Sequence, residues 1–169
     1  MLGFKSQERR ELKFLKTPEI ELALANHLNI RANIIVPNIH WGLLPYEVDL
    51  LVLSSKGYAT EIEIKVSVSD LKADKLKKHD HSSNLIKRLF FAMPDKMQKH
   101  IEHVPAKAGI LFVDDYGRVR EHRKAKLNTA ARKLTEKEIY QVLRLGNMRT
   151  WTLRKKLLMQ NLPRTISKL

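Results

Sequence analysis

The chain has 169 residues, of which 43% are hydrophobic and 30% are charged. This composition is typical of one ordinary globular domain, or of a domain with a small appendage, and not of a disordered chain. Because no run of about 18 apolar residues occurs, we expect no membrane span. The charged N-terminal stretch MLGFKSQERRELKF lacks the apolar region of a signal peptide, and there is no cysteine for disulfides or thiolate metal sites. We therefore expect a cytoplasmic protein.

Positive charge is concentrated in the last third of the chain. Residues 1–117 carry 17 basic and 15 acidic side chains, whereas residues 118–169 carry 15 and 3, so the second segment holds +12 of the net +14. A localised basic segment predicts a polyanionic partner, most often nucleic acid. A solubilising surface or contact with an anionic membrane is the alternative. On this basis we divide the chain into an α/β core, residues 1–117, and a basic, mainly helical extension, residues 118–169.

Taken in chain order, the hydrophobic periodicity predicts alternating helices and strands. Helix starts are indicated by Thr17 with Pro18, by Ser69, and by the capping box from Thr135 to Glu138. The predicted helices cover residues 18–29, 70–78, 95–102, the segment from the capping box to near Gly146, and 149–159. The predicted strands cover residues 33–37, 47–53, 58–66, 85–93, 108–115 and a segment beginning at Val119. This order predicts a mixed central sheet flanked by helices.

The segment from Tyr46 to Val66, YEVDLLVLSSKGYATEIEIKV, has the alternating pattern of a β-hairpin. A three-residue loop ending in Gly57, with the glycine in the left-handed conformation, is a common closure. This loop pairs residue 54 with residue 58, and therefore places Asp49 opposite Glu63. Their side chains would share one face of the sheet about 5 Å apart.

Four charged residues of the hairpin, Asp49, Glu61, Glu63 and Lys65, are predicted to share this face. Two opposed carboxylates repel each other unless a cation lies between them, and oxygen ligands favour Mg²⁺ or Mn²⁺. Lys65 would orient or activate a water molecule and offset charge on a phosphoryl group. The alternative is a solvated, charged face of a sheet. An acid inside the apolar run VDLLVL favours the metal site, because an unpaired buried acid is costly.

The order of a helix carrying Glu21, then Asp49, then Glu63-Ile64-Lys65, then a lysine-bearing helix resembles the PD-(D/E)xK nuclease superfamily. Within it, the chain is similar to the small bacterial and phage DNA-repair-type members with a restriction-endonuclease-like core. The resemblance covers roughly residues 17–116. It implies that Asp49 and Glu63 bind Mg²⁺, that Lys65 acts on the attacking water, and that Glu21 assists. Val48 stands where the family has proline.

Other polar residues have less specific patterns. Glu61 is expected to be a solvated neighbour of the site, the segment His79-Asp80-His81 to be a surface or phosphate contact, and Trp151 to be a core anchor or a base-stacking residue. Glu19 lies in the first helical turn, where the helix dipole explains an acid. Basic residues expected to contact nucleic acid are Lys72, Lys75, Lys78, Arg123, Lys124, Lys126, Arg149 and Arg154.

These observations predict a Mg²⁺-dependent or Mn²⁺-dependent DNA endonuclease, in which a metal-activated water hydrolyses a phosphodiester. The resemblance suggests repair-type or structure-selective cleavage. A catalytically inactive DNA-binding protein of the same fold, or a basic RNA-binding protein, is the alternative. The expected partner is DNA, with RNA also open and no membrane contact. A homodimer is plausible because cutting two strands requires two sites.

Overall fold

The computed structural model describes residues 15–39, 42–74 and 83–161. Three α-helices, one 3₁₀ helix and six strands lie within these ranges. The helices are α1 Thr17–His27, α2 Val68–Asp74, the 3₁₀ helix Asp95–His103, and α3 Glu136–Asn161. The strands are β1 Ile34–Ile39, β2 Val48–Leu53, β3 Ala59–Ile64, β4 Ile86–Pro94, β5 Gly109–Val113 and β6 Val119–Arg123. None of the described helices is long and apolar enough to cross a bilayer.

The six strands form one sheet in sequence order. Strands β3, β4 and β5 run parallel, while the pairs β1–β2, β2–β3 and β5–β6 are antiparallel. The segment containing α2 connects β3 to β4, and the segment containing the 3₁₀ helix connects β4 to β5, as parallel pairing requires. The prediction of a mixed α/β sheet flanked by helices is confirmed.

The hairpin has the predicted register. Leu50 pairs with Ile62 and Leu53 with Ala59, so each pair sums to the same number as residues 49 and 63. The loop closes through a hydrogen bond from Ser54 N to Tyr58 O of 3.0 Å, and Gly57 has φ +82°. The positive φ is the reason for a glycine here.

The two faces of the sheet are packed differently. On one face, α1 packs Ile20 and Leu24 against a set that includes Leu50, Ile62 and Ile64. The opposite face carries two separate hydrophobic clusters. We call them the α3 cluster, which contains Val36, Leu51, Val142 and Leu145, and the α2 cluster, which contains Leu71, Leu89, Phe91 and Phe112. Glu61 of β3 lies between them, because it pairs with Leu51 of the α3 cluster on one side and with Leu89 of the α2 cluster on the other.

Helix α3 is one continuous helix, which corrects the prediction of two helices separated near Gly146. Gly146 faces β1, and a Cβ at this position would lie 3.2 Å from Val36 Cγ2. The glycine therefore permits close helix–sheet contact and does not end the helix. Beyond Thr150 every described residue of α3 is exposed, including Trp151 at 61%. The prediction of Trp151 as a core anchor is wrong.

Two helix starts also differ from the prediction. Helix α1 begins at Thr17, and its first turn is closed by Glu19, whose Oε2 accepts a hydrogen bond from Lys16 N at 3.0 Å. Helix α2 begins before Ser69, and Ser67 Oγ accepts from Asp70 N at 3.2 Å. The capping box at α3 is confirmed. Thr135 N donates to Glu138 Oε2 at 2.7 Å, and Glu138 N donates to Thr135 Oγ1 at 3.3 Å.

The sheet continues across the predicted boundary at residue 117. Strand β6 pairs with β5, and Arg120 lies opposite Phe112. After β6, residues 124–135 contain no helix or strand, and Ala131 and Leu134 are buried. The division into two folding units stays a prediction, whereas the charge step at this point is a property of the sequence.

Candidate functional site

The charged residues of β3 and the lysine that follows it are buried. Glu61, Glu63 and Lys65 are exposed by only 0%, 2% and 3%. The alternative of a solvated sheet face is therefore wrong, and so is the expectation that Glu61 is solvated. Charged groups at this depth require partners, because an unpaired buried charge is strongly unfavourable.

Lys65 and Glu63 form a buried ion pair. The Lys65 Nζ donates to Glu63 Oε2 at 3.0 Å and lies 5.8 Å from the centre of the Phe91 ring. Residues two apart at the end of a strand share a face, which is why the Glu-x-Lys spacing brings the two groups together. The aromatic ring closes the ammonium off from one side and leaves it directed at the carboxylate.

Asp49 is fixed at the same end of β3. Its Oδ2 accepts a hydrogen bond from the main-chain N–H of Ile64 at 2.8 Å, so it is attached to the residue between Glu63 and Lys65. The hairpin register, extended by one residue, places Asp49 level with Glu63. The structure thus brings Asp49, Glu63 and Lys65 together, as predicted from the sequence.

Glu21 approaches this group from α1. Burial raises the pKa of its carboxyl above the usual value, and the negative charge of Asp49 raises it further. Glu21 also lines a cavity of about 260 Å³ together with Leu22 and Leu50. Glu19, on the same helix, closes the first turn through Lys16 instead. Of the two acids, Glu21 is the one that interacts electrostatically with Asp49.

Glu61 has a structural partner that the sequence did not indicate. The Tyr46 hydroxyl donates to Glu61 Oε2 at 3.0 Å, and Tyr46 itself is buried in the α3 cluster. Its two apolar predecessors, Leu43 and Leu44, are buried there as well. Two consecutive leucines just before the hairpin are the sequence signal that this segment packs in the core.

The donor set suits a hard divalent cation. Asp49 and Glu63 supply carboxylate oxygens, and Mg²⁺ is usually held by one or two carboxylates together with several waters. Burial is the larger cause of the raised pKa of Glu21, and the charge of Asp49, the smaller cause, is one that a bound cation would offset. Glu21, Asp49 and Glu63 do not form a compact set of three. Among the described residues, ligand atoms within 4.8 Å of one another belong to His100, Glu102 and His103.

The predicted nucleic-acid contacts fall into three groups. Exposed side chains are those of Lys72, Lys124, Lys126 and Arg154. Arg123 donates to Pro105 O and Ala108 O at 2.8 and 2.9 Å, and Arg149 donates to Asn38 O at 2.6 Å, so both brace the fold. Lys75 and Lys78 lie outside the described residues, as do His79, Asp80 and His81.

Comparison with known proteins agrees with this architecture. The mixed six-stranded sheet flanked by helices defines an α/β domain, and the family that matches it has a restriction-endonuclease-like fold. A family model described as "DNA repair protein MmcB-like" matches residues 45–148, and the chain belongs to this family. The match covers β2 through the first half of α3, and thus includes Asp49, Glu63 and Lys65 but not Glu21.

A solved structure, the SPO1766 protein of unknown function from Silicibacter pomeroyi, has the same fold. The two share 22% sequence identity with a TM-score of 0.61, over 89% of this chain and 94% of that chain. At this identity the likeness concerns the fold alone. A search of curated proteins found no match.

Proposed function

We propose that this protein is a divalent-metal-dependent DNA endonuclease that acts in DNA repair. The observation that carries the proposal is the buried Glu63–Lys65 pair beside Asp49, which is itself held by Ile64 N. An acid fixed by the main chain and an ammonium fixed by a neighbouring acid form a rigid group, and rigid placement of charge is what phosphoryl transfer requires. Membership in a family of DNA repair proteins supports DNA as the substrate.

In this proposal Asp49 and Glu63 hold Mg²⁺ or Mn²⁺, and Glu21 supports them from α1. The metal would lower the pKa of a bound water and polarise the phosphate. Lys65 donates hydrogen bonds to the attacking water or to a phosphoryl oxygen and stabilises the negative charge that develops there. The water oxygen bonds to phosphorus, the ester P–O bond breaks, and the products are a phosphate monoester and a hydroxyl.

The test is nicking of supercoiled plasmid DNA with Mg²⁺ or Mn²⁺. We expect metal-dependent nicking that falls at least about a hundredfold in Asp49→Asn, Glu63→Gln and Lys65→Met. Asp115→Asn, a substitution in an exposed turn, is the control and should leave the rate unchanged. Nicking that is equal in all four variants would show a contaminating nuclease and contradict the proposal.

A second candidate is a DNA-binding protein of the same fold without catalysis. The Glu63–Lys65 ion pair favours it, because the lysine already neutralises one of the two proposed metal ligands. This function predicts DNA binding that persists in EDTA, with no nicking in Mg²⁺ or Mn²⁺. Two copies would be required for a double-strand cut, so the predicted dimer belongs to the first candidate.

A further inference from the structure

A basic groove lies at the opposite end of the sheet from Lys65. It is a cavity of about 510 Å³ between the start of β4, the residues just before β5, and the segment that follows β6. Its basic residues are Lys87, Arg88, Lys107 and Lys126. Ile86 pairs with Ala59 at this end, whereas Phe91 pairs with Glu63. Five residues of strand separate the two levels, or about 16 Å.

The walls of the groove are held by hydrogen bonds that involve the main chain. Lys126 N donates to Lys107 O, and Asn128 N donates to Lys87 O, both at 3.0 Å. The side-chain amide of Asn128 donates to Ser83 O at 2.9 Å and to Ile86 O at 3.0 Å. Three separate segments of the chain are thereby joined, so the backbone that carries the four basic residues is fixed before any ligand arrives.

The charge in the groove has one sign. Among the described residues that line it, none is acidic. Lys87 Nζ lies 5.2 Å from the centre of the Tyr58 ring, and Lys133 Nζ lies 5.8 Å from the same ring, which extends the positive surface beyond the groove. Like charges gathered in this way repel one another. A bound polyanion attracts all of them, so the net electrostatic energy of the groove becomes favourable.

We propose that this groove is a second DNA-binding surface, which contacts the phosphate backbone about 16 Å away from the proposed cleavage site. The proposal rests on the part of the proposed function that makes DNA the ligand. It does not require that the protein cleaves the DNA. The groove is open, fixed and cationic, and these properties suit a sugar–phosphate strand that enters and leaves along the surface. It would position DNA and carry no sequence preference.

The experiment uses the full chain and a fluorescently labelled DNA duplex, with binding measured by anisotropy between 50 and 200 mM salt. Arg88 and Lys126 are exposed, so Arg88→Gln with Lys126→Gln removes two charges without disturbing the core. The matched control is Arg31→Gln with Lys99→Gln, which removes the same charge from exposed positions that do not line the groove. Thermal melts of each variant check the fold.

We expect the groove variant to bind DNA roughly tenfold more weakly, with a salt slope reduced by about 2, while the control changes little. Equal losses in the two variants would overturn the proposal, because net charge alone would then explain them. A loss confined to an RNA probe would also overturn it. If the groove variant loses affinity and the parent chain never nicks plasmid, the groove stands and the nuclease proposal fails. If nicking depends on Asp49 but the groove variant binds DNA like its control, the nuclease proposal stands and the groove proposal fails.

Discussion

The carboxylate of Asp49 accepts a hydrogen bond from the main-chain N–H of Ile64 at 2.8 Å. Ile64 lies between Glu63 and Lys65 in the sequence. The start of β2 is therefore attached to the end of β3 by a side chain and not only by the ladder, and the position of Asp49 relative to the Glu63–Lys65 pair is set by the main chain.

Breaking the buried ion pair from one side should be costly. Lys65→Met leaves the Glu63 carboxylate buried without its ammonium, so we expect a loss of about 3 kcal/mol in the free energy of unfolding. The double variant Lys65→Met with Glu63→Gln should be clearly more stable than the single one. Urea denaturation measures both. Arg120→Met, which breaks an exposed pair with Asp95, should cost less than about 1 kcal/mol, and a similar cost at Lys65 would contradict the burial argument.

Glu21 should trade stability for function. Its folded pKa is raised, so the folded state resists ionisation, and stability falls as pH rises through the unfolded pKa towards the folded one. Glu21→Gln removes this cost. We expect a small gain in Tm at neutral pH, on the order of 1 °C, that vanishes well below pH 4.5, together with slower metal-dependent nicking. Asp115→Asn, in an exposed turn, is the control. A lower Tm at neutral pH in Glu21→Gln would contradict the prediction.

The start of α3 should be sensitive to acid. The Arg132 guanidinium donates two hydrogen bonds to the Glu138 carboxylate, and the main-chain N–H and hydroxyl of Thr135 donate two more. Together they lower the pKa of Glu138 from 4.5 to about 2. A lowered carboxyl pKa contributes stability above the unfolded value, and that stability is lost as pH falls from about 4.5 towards 2. Thermal melts should show Glu138→Gln below the parent at pH 7, with the gap closing in this window. A gap that does not change with pH would show that packing, not charge, is responsible.

The outer half of α3 should be dispensable for folding. Because every described residue from Trp151 onward is exposed, a chain ending at Thr150 should keep its Tm within about 2 °C. The deletion removes five basic residues, Arg154, Lys155, Lys156, Arg164 and Lys168, so DNA affinity should fall and its salt dependence should flatten. Replacing these five residues by Gln in the full-length chain separates their charge from the rest of the deleted segment. A large fall in Tm on truncation would show that the outer half packs against the domain.

Deleting the whole basic segment would not test DNA binding in the same way. Residues 118–169 include β6, which pairs with β5, and Val142 and Leu145, which belong to the α3 cluster. The charge step at residue 117 therefore identifies where cations lie in the sequence, and the sheet continues past it through β6.

The sequence predicted those parts of the fold that depend on local rules. The loop ending in Gly57 determined the hairpin register, and the register determined that Asp49 lies level with Glu63. The capping box at Thr135 fixed the start of α3 for the same reason. Each of these features depends on residues a few positions apart.

Features that depend on distant contacts were not predictable in this way. Gly146 looked like a helix end until its contact with Val36 of β1 was known, since glycine has the same low helix propensity in both cases. Glu61 looked solvated because its partner, Tyr46, is fifteen residues away in a segment without regular structure. The basic groove draws on three segments that no spacing rule connects.

The polar residues of β3 divide the hydrophobic packing on their face of the sheet into the α3 cluster and the α2 cluster. Leu51 and Phe91 lie on opposite sides of this division. Free-energy changes of substitutions on the two sides should therefore add, whereas those within one cluster should couple. A substitution in one cluster should consequently need no compensating change in the other, as long as the charged residues of β3 stay between them.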